Sequence, residues 1–281
     1  MKSKSLTYNS KSQWVLAILL VLISLVFITP VIYAIVTSFK LEKDIIGSSP
    51  TFFPRNPSFE NYRYIFERRG VYLLYYYNST VITIAGVLIT TVLSTMCGYA
   101  FARLPFKGRN VIMGFILFIV TFPLAVLLIP IYIMEYEVGL LNTNLGLILP
   151  NVTTVLPFSI FVMRGIFRSI PKELEESAEI DGASVFATWW KIMMPIGLNG
   201  ISIVIIFCFY NIWGEYILAR TLATQTPAMP LTVGLTLLRG EGWSYGILGA
   251  VIFLALLPPV IIFMIFQKQL IEGITKGAIK G

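Results

Sequence analysis

The feature that most constrains this chain is a series of six long stretches that contain no Asp, Glu, Lys or Arg. Each is about 20 residues or longer, which is enough for an α-helix to cross the hydrocarbon core of a bilayer. Only helices and closed barrels satisfy all backbone polar groups in lipid, and these stretches lack the alternating pattern of barrel strands. We therefore predict an all-α, polytopic membrane protein with six transmembrane helices. The stretches are 14–38, 70–101 without its first few residues, 111–134, 138–163, 192–214 and 242–267.

The composition agrees with this prediction, because 57% of the residues are hydrophobic and only 12% are charged. The alternative for the first stretch is a signal peptide, since Lys2, Lys4 and Lys11 precede it. Its apolar run, beginning at Trp14, is too long for a typical signal peptide, and no small-residue cleavage site closes it. We interpret it as an uncleaved first span.

The placement of basic residues predicts that both termini are cytoplasmic. Most of the 21 Lys and Arg lie in the N-terminal segment, the second and fourth loops and the C-terminal tail. The first loop, 39–70, is also basic, but it carries acidic residues as well, and longer loops cross the membrane with less regard to charge. The net charge of +7 follows from this asymmetry, and no basic soluble surface for nucleic acid is indicated. The uncharged stretch 221–238 contains two prolines and is predicted as an external or re-entrant loop.

Several function classes are excluded by residues that the sequence lacks. The chain has no histidine, which removes histidine-based catalytic dyads and histidine metal sites. It has no Gly-x4-Gly-Lys-Ser/Thr phosphate loop, so it cannot hydrolyse ATP by that route. Cys97 and Cys208 lie within predicted spans, where a disulfide framework is not expected. We predict no catalytic residue, no metal site and no cofactor, and we do not expect an enzyme.

An ion-coupled secondary solute transporter is the alternative to an ATP-driven one. Ion-coupled transporters commonly hold a carboxylate inside the membrane to bind the coupling ion. None of the six stretches contains Asp or Glu, and Glu215 lies just past the end of the fifth. This distribution disfavours ion coupling.

A polar, acidic segment lies between the fourth and fifth predicted spans. Pro171 at a first helical position, followed by acidic residues, is typical of a helix N-terminus. Gly182 can take the left-handed conformation that ends a helix, and Ser184 can cap a second helix along the membrane surface. From these residues alone, an ordinary amphipathic loop helix that binds no partner is the preferred interpretation.

The spacing within this segment closely resembles a known pattern. It reads Glu-Ser-Ala-x3-Gly-x9-Ile-x-Met-Pro, and the permease subunits of bacterial ABC importers carry Glu-Ala-Ala-x3-Gly-x9-Ile-x-Leu-Pro. In that family the loop docks in a groove of a separate cytoplasmic ATPase and transmits its motion. The resemblance implies a type I ABC importer permease fold and assigns ATPase docking to Glu176, Ser177, Ala178, Gly182, Ile192 and Pro195.

Further motifs are similar to those of the carbohydrate-importing, maltose-permease-type branch. They are residues 57–62, 98–103 with 106–109, 139–143, and the tail 272–281. The resemblance implies three protein partners, namely an ATP-binding cassette ATPase dimer, a second homologous permease and an extracytoplasmic solute-binding protein. It also implies a small-molecule substrate, a sugar or oligosaccharide, and location in the bacterial inner or plasma membrane.

The same branch implies alternating access driven by the ATPase and suggests a division of the chain. We predict a first segment, 1–73, with the N-terminal tail, first span and external segment. A five-helix transmembrane domain, 74–267, includes the coupling loop 169–195, and a cytoplasmic tail, 268–281, follows. Sugar sites use aromatic faces and hydrogen-bonding groups, so Tyr210, Asn211, Trp213 and Glu215 are candidates. Packing is the preferred interpretation for them, and no substrate residue is assigned.

Overall fold

The computed structural model describes residues 10–46, 51–67, 71–237 and 244–278, with side chains described between Trp14 and Gln269. The predicted N-terminal tail before residue 10, the turn-rich 47–50 and residues 279–281 lie outside these ranges. No strand occurs within them, and the predicted all-α class is confirmed. The helices are α1 Ser10–Ser38, α2 Glu42–Ile45, α3 Glu60–Glu67, α4 Val71–Arg103, α5 Arg109–Ile119, α6 Leu124–Glu137, α7 Asn144–Ser169, α8 Glu173–Ile180, α9 Val185–Thr188, α10 Met194–Ile196, α11 Leu198–Trp213, α12 Ile217–Leu222, α13 Leu231–Leu237 and α14 Tyr245–Ala278, with a π-helical turn at Trp189–Met193 and a 3₁₀ turn at Thr226–Ala228.

Four helices, α1, α4, α7 and α14, are each long and apolar enough to cross a bilayer. Two bent helix pairs supply the other spans. The pair α5–α6 bends by 96°, and the pair formed by 185–196 and α11 bends by 80°. With each bent pair counted as one span, the described residues give the predicted six.

The bend between α5 and α6 has a local cause. α5 ends at Ile119 and α6 begins at Leu124, directly after Pro123, which has no backbone N–H for the Ile119 carbonyl and disfavours helical geometry in the residue before it. The sequence predicted one uninterrupted span over 111–134. The structure instead divides it and extends α6 to Glu137, which brings the buried Glu135 into the second arm of the span.

The chain divides into two compact units. In the first, 1–68 with 238–254, Asn61 of α3 donates hydrogen bonds to the carbonyls of Ser38 and Lys40, both at 2.8 Å. The Lys40 ammonium donates to the Thr51 carbonyl and lies 5.0 Å from the centre of the Tyr33 ring. The polar residues after the first span therefore fold as an ordered layer that holds the end of α1.

The second unit, 69–237 with 255–281, is built around α4, α7 and α11. Gly98 of α4 sits against Met163 of α7 so closely that a Cβ at Gly98 would lie 2.6 Å from the Met163 Cβ. Small residues at such contacts let membrane helices approach and gain van der Waals packing. The region 221–238, predicted as an external or re-entrant loop, contains the end of α12, a 3₁₀ turn and the short helix α13 within its described part.

Candidate functional site: an exposed connecting helix and a membrane cavity

The polar segment between α7 and the fifth span folds as a short helix with a defined end. Gly182 has φ of 79°, its N–H donates to the Glu179 carbonyl at 3.0 Å, and the Ala183 N–H donates to the Ala178 carbonyl at 2.9 Å. These two bonds form a Schellman motif, in which a left-handed residue closes the last helical turn. The predicted helix-ending role of Gly182 is confirmed. Pro171 lies two residues before the helix, which begins at Glu173 and not at the proline.

One face of α8 is open to its surroundings. Glu176, Ser177 and Gly182 are exposed, and nothing within the described residues would contact a Cβ added at Gly182. Ile180, on the same helix, is 87% exposed. The Ser177 hydroxyl donates to the Glu173 carbonyl of its own helix at 2.7 Å. The open face of α8 therefore combines an acidic side chain, residues with small or no side chains, and one protruding apolar side chain.

The other face of α8 is tied to the end of α4. The Arg103 Nε and the Glu175 Oε1 form an ion pair at 2.9 Å, with side chains that are 5% and 18% exposed. The Arg103 guanidinium also donates to the carbonyl of Ile170, the residue after α7. Burial raises the pKa of the Glu175 carboxyl, while Arg103 and Lys172 act in the opposite direction. A single arginine thus joins α4, α7 and α8.

The segment after Gly182 also follows the sequence prediction. The Ser184 hydroxyl accepts a hydrogen bond from the Ala187 N–H at 3.2 Å and caps α9. Phe186 and Trp190 are exposed, whereas Trp189 is buried. Apolar rings on one side of a short helix are typical of a segment that lies along a membrane surface.

The six predicted docking residues fall into two groups. Glu176, Ser177, Gly182 and Pro195 are exposed, and Ile192 is half-buried. Ala178 is 6% exposed, so it packs within this chain and supports the helix from beneath.

A cavity of about 660 Å³ lies in the second unit, beside the elbow between α5 and α6. Its wall is largely apolar and includes the rings of Phe122 and Phe207. Its polar lining residues are Glu135, Asn151, Thr153, Thr154, Asn211 and Glu215.

Two of the four aromatic and polar candidates on the fifth span donate hydrogen bonds to α14. The Trp213 Nε1–H donates to the Ala255 carbonyl at 3.1 Å, and the Tyr210 hydroxyl donates to the Pro259 carbonyl at 3.0 Å. Ala255 precedes Pro259 by four residues, so its carbonyl is the one that Pro259 cannot bond. Trp213 supplies the donor that the proline removed from α14, which agrees with the preferred packing interpretation.

The other two candidates line the cavity. Asn211 is exposed to it, with its amide donating to the Phe207 carbonyl at 2.8 Å. The Glu215 carboxylate accepts from the N–H groups of Leu218 and Ala219 at 2.7 and 2.9 Å, which caps the start of α12.

Glu135 is the cavity residue that sequence reasoning missed. The predicted span ended at residue 134, one position before this carboxylate. The sequence did offer one signal, an acidic residue directly after a long apolar run. A carboxylate at membrane depth is costly to bury, so such a residue is a candidate for a functional role.

Comparison with known proteins places these features in a family. Residues 90–276 match the family described as "Binding-protein-dependent transport system inner membrane component". The arabinooligosaccharides transport system permease protein of Halalkalibacterium halodurans is 32% identical, and the match covers 96% of this chain and 97% of that protein. The sulfoquinovosyl glycerol transport system permease protein of Agrobacterium fabrum is 30% identical, with 90% and 88% covered.

Solved structures share the fold. A chain from a bacterial ABC transporter involved in the import of the acidic polysaccharide alginate superposes with a TM-score of 0.81 at 24% identity, covering 93% of this chain and 98% of the other. A second alginate ABC transporter structure, in complex with an alginate pentasaccharide-bound periplasmic protein, gives a TM-score of 0.68 at 16% identity, covering 91% and 93%. The predicted type I importer permease fold is confirmed. The match over residues 90–276 and the relatives that cover nearly the whole chain lead to one conclusion: this protein is a multi-pass membrane permease, not an enzyme, and belongs to the family of binding-protein-dependent inner membrane transport components.

Proposed function

We propose that this chain is one of two homologous permease subunits of an ATP-driven carbohydrate importer. An extracytoplasmic binding protein delivers the solute, and a separate ATPase dimer supplies the energy. Both termini and α8 are cytoplasmic. The family's description as binding-protein-dependent and the saccharide substrates named for the relatives support this function.

The proposal of an ATPase partner rests on the open face of α8. The helix has a fixed end at Gly182, an acidic surface and Ile180 protruding at 87% exposure. A partner groove with basic groups at its rim and an apolar pocket at its centre complements such a face. Glu176, Ser177, Gly182, Ile192 and Pro195 contact this groove, and Ala178 holds the helix in place from the inner side.

The contacts of Arg103 supply the route for motion. When ATP closes the nucleotide-binding subunits, α8 moves with the groove. Because Arg103 joins Glu175 to the end of α4 and to the carbonyl after α7, both spans move with it. ATP thereby shifts the population between outward-open and inward-open arrangements through contacts that differ in the two states.

The backbone at Gly182 provides the first test. With φ of 79°, a valine there costs about 1–2 kcal/mol in strain, although it meets no atom of the described chain. We expect Gly182→Val to insert in the membrane but to lose ATPase association and uptake. Asparagine tolerates this conformation, so Gly182→Asn should keep more of both. Association is measured by co-purification of the cognate ATPase subunit.

Gly108 is the matched control. It has φ of 78°, and only the Ile112 side chain comes within 4 Å of a Cβ there, at 3.9 Å. Gly108→Val carries the same strain in a different loop and should keep its ATPase. Normal association of Gly182→Val, or equal loss in the Gly108 variant, would refute the docking assignment.

Ser177 separates surface shape from hydrogen bonding. Its hydroxyl is satisfied by its own helix, so Ser177→Ala should leave association and uptake nearly unchanged. Ser177→Leu leaves the chain's own packing intact, since this residue is exposed, but it should block close approach by the partner. Equal behaviour of the two variants in co-purification would contradict a docking surface here.

A further inference from the structure

The cavity beside the α5–α6 elbow has an unusual charge distribution. Among its lining residues, all within the described part of the chain, two are acidic and none is Lys or Arg. The Glu215 carboxylate is already engaged by two backbone N–H groups of α12. The cavity therefore has no cationic partner for an anion that enters it.

The second carboxylate, that of Glu135, is incompletely bonded. Glu135 is 6% exposed, and its Oε2 has no hydrogen-bond partner within the described residues. This oxygen lies against Gly146 of α7, 2.8 Å from the position that a Cβ would occupy. The oxygen is enclosed, and a buried acceptor without a donor costs free energy, so the Glu135 side chain gains if it turns toward a donor in the cavity that it lines.

Three further polar lining groups present acceptors as well. The Thr153 and Thr154 hydroxyls donate to the carbonyls of Leu149 and Asn151, at 2.9 and 2.8 Å, so their lone pairs remain for a ligand. The Asn211 amide donates to its own helix, which leaves its carbonyl oxygen available. A solute rich in hydroxyl groups supplies the donors that these oxygens lack.

We propose that this cavity is a solute-binding part of the transport passage, that Glu135 accepts hydrogen bonds from solute hydroxyl groups, and that the solute is a carbohydrate without acidic groups. This inference rests on the proposed import function and narrows its substrate class. An acidic sugar would bring a negative charge into a cavity whose lining residues include no Lys or Arg to offset its lost hydration. The rings of Phe122 and Phe207 offer apolar faces for the C–H surfaces of a sugar.

Thiol labelling tests the charge selectivity without knowledge of the solute. In the assembled transporter, with Cys97 and Cys208 replaced by alanine, a single Thr154→Cys reports on the cavity and Tyr136→Cys on the exposed side of α6. Both are labelled with cationic aminoethyl methanethiosulfonate and with anionic sulfonatoethyl methanethiosulfonate. Relative to the Tyr136 site, we expect the cavity cysteine to favour the cation about tenfold, and Glu135→Gln to remove most of that preference.

Three labelling results overturn the proposal. Preference for the anionic reagent, or a ratio that Glu135→Gln leaves unchanged, rules out a selective carboxylate. Failure of both reagents to reach Thr154→Cys, while Tyr136→Cys reacts, shows a cavity closed to water or filled by lipid.

Uptake then tests the substrate class. Cells with and without this chain are offered labelled galactobiose, arabinotriose and diacetylchitobiose, and the acidic digalacturonate and alginate disaccharide. We expect chain-dependent uptake of a neutral sugar only, and about a tenfold higher half-saturating concentration in Glu135→Gln, since hydrogen bonds to charged acceptors are the stronger ones. Chain-dependent uptake of an acidic sugar overturns the inference. If none of these sugars shows chain-dependent uptake while the thiol selectivity is intact, carbohydrate import is refuted instead. Failure of the cavity proposal and failure of the import function therefore give different results.

Discussion

Replacing Arg103 by methionine removes the charge that holds α8 against the end of α4. The Arg103 and Glu175 side chains are 5% and 18% exposed, so the variant leaves a largely buried carboxylate without its partner. Breaking a buried pair in this way costs about 3–5 kcal/mol, and the residual exposure of Glu175 favours the lower end. A loss of about 3 kcal/mol increases the open population of this segment about a hundredfold.

Trypsin cleavage after Lys172 measures that population. Lys172 is exposed and immediately precedes α8, and its cleavage follows the open fraction when opening and closing are fast. We expect about a hundredfold faster cleavage in Arg103→Met. The double variant Arg103→Met/Glu175→Met should recover most of the protection, because two apolar side chains leave no buried charge. Lys107→Met, which removes the same charge from an exposed position, is the control.

The pH dependence of Arg103→Met adds a second check. Burial raises the pKa of Glu175, and removal of Arg103 takes away a group that lowers it. The docked segment then binds more protons than the released one, so docking is strongest below the ordinary glutamate pKa and is lost as pH rises through the raised value. Cleavage of Arg103→Met should therefore slow on acidification. Unchanged cleavage in Arg103→Met, or a double variant as labile as the single one, would refute the role of this ion pair.

Three further predictions concern packing and topology. Gly98→Ala should lower the thermal stability of the purified chain by about 1–3 kcal/mol, because its Cβ would meet Met163, whereas Gly114→Ala, with no neighbour within 4 Å, should not. Trp213→Phe should lower the free energy of unfolding by about 1 kcal/mol. The loss should be smaller in a Pro259→Ala background, where the backbone N–H of residue 259 can bond the Ala255 carbonyl. Equal losses in the two backgrounds, measured by thermal unfolding, would contradict the role of Trp213 as the substitute donor. Single cysteines should label from inside, outside and inside the cell, and outside labelling of the last would overturn the topology; the positions are Lys4, Glu137 and Lys276.

The helical content was predictable because long uncharged stretches admit no other structure in lipid. The helix end at Gly182 and the cap at Ser184 were also predictable, since local backbone chemistry decides them. The motif at residues 139–143 was matched to the family, but without a structural explanation for it. In the structure Asn142 has φ of 59° and accepts hydrogen bonds from the N–H groups of Thr224 and Gln225, at 2.7 and 2.8 Å.

What the sequence did not reveal depends on contacts between distant residues. Hydropathy gives the length of a span but not the elbow at Pro123, because many membrane helices contain proline and continue. The pairing of Arg103 with Glu175, 72 positions apart, follows only from the packed helices. Ala178 illustrates the same limit, since its place in the motif does not tell whether it faces the partner or its own chain.

The hydrogen bond from Trp213 to Ala255 has a consequence for how α14 can move. Most membrane helices carry all of their own backbone bonds, so each can shift as an independent rod. At Pro258-Pro259, the indole N–H of Trp213 in α11 supplies the hydrogen-bond donor that α14 lacks. If α11 withdraws, the Ala255 carbonyl is left bare in an apolar setting, and α14 must either follow or find another donor. The hydrogen bond therefore couples the two helices at this depth, so a displacement of α11 changes the bend of α14 at its prolines.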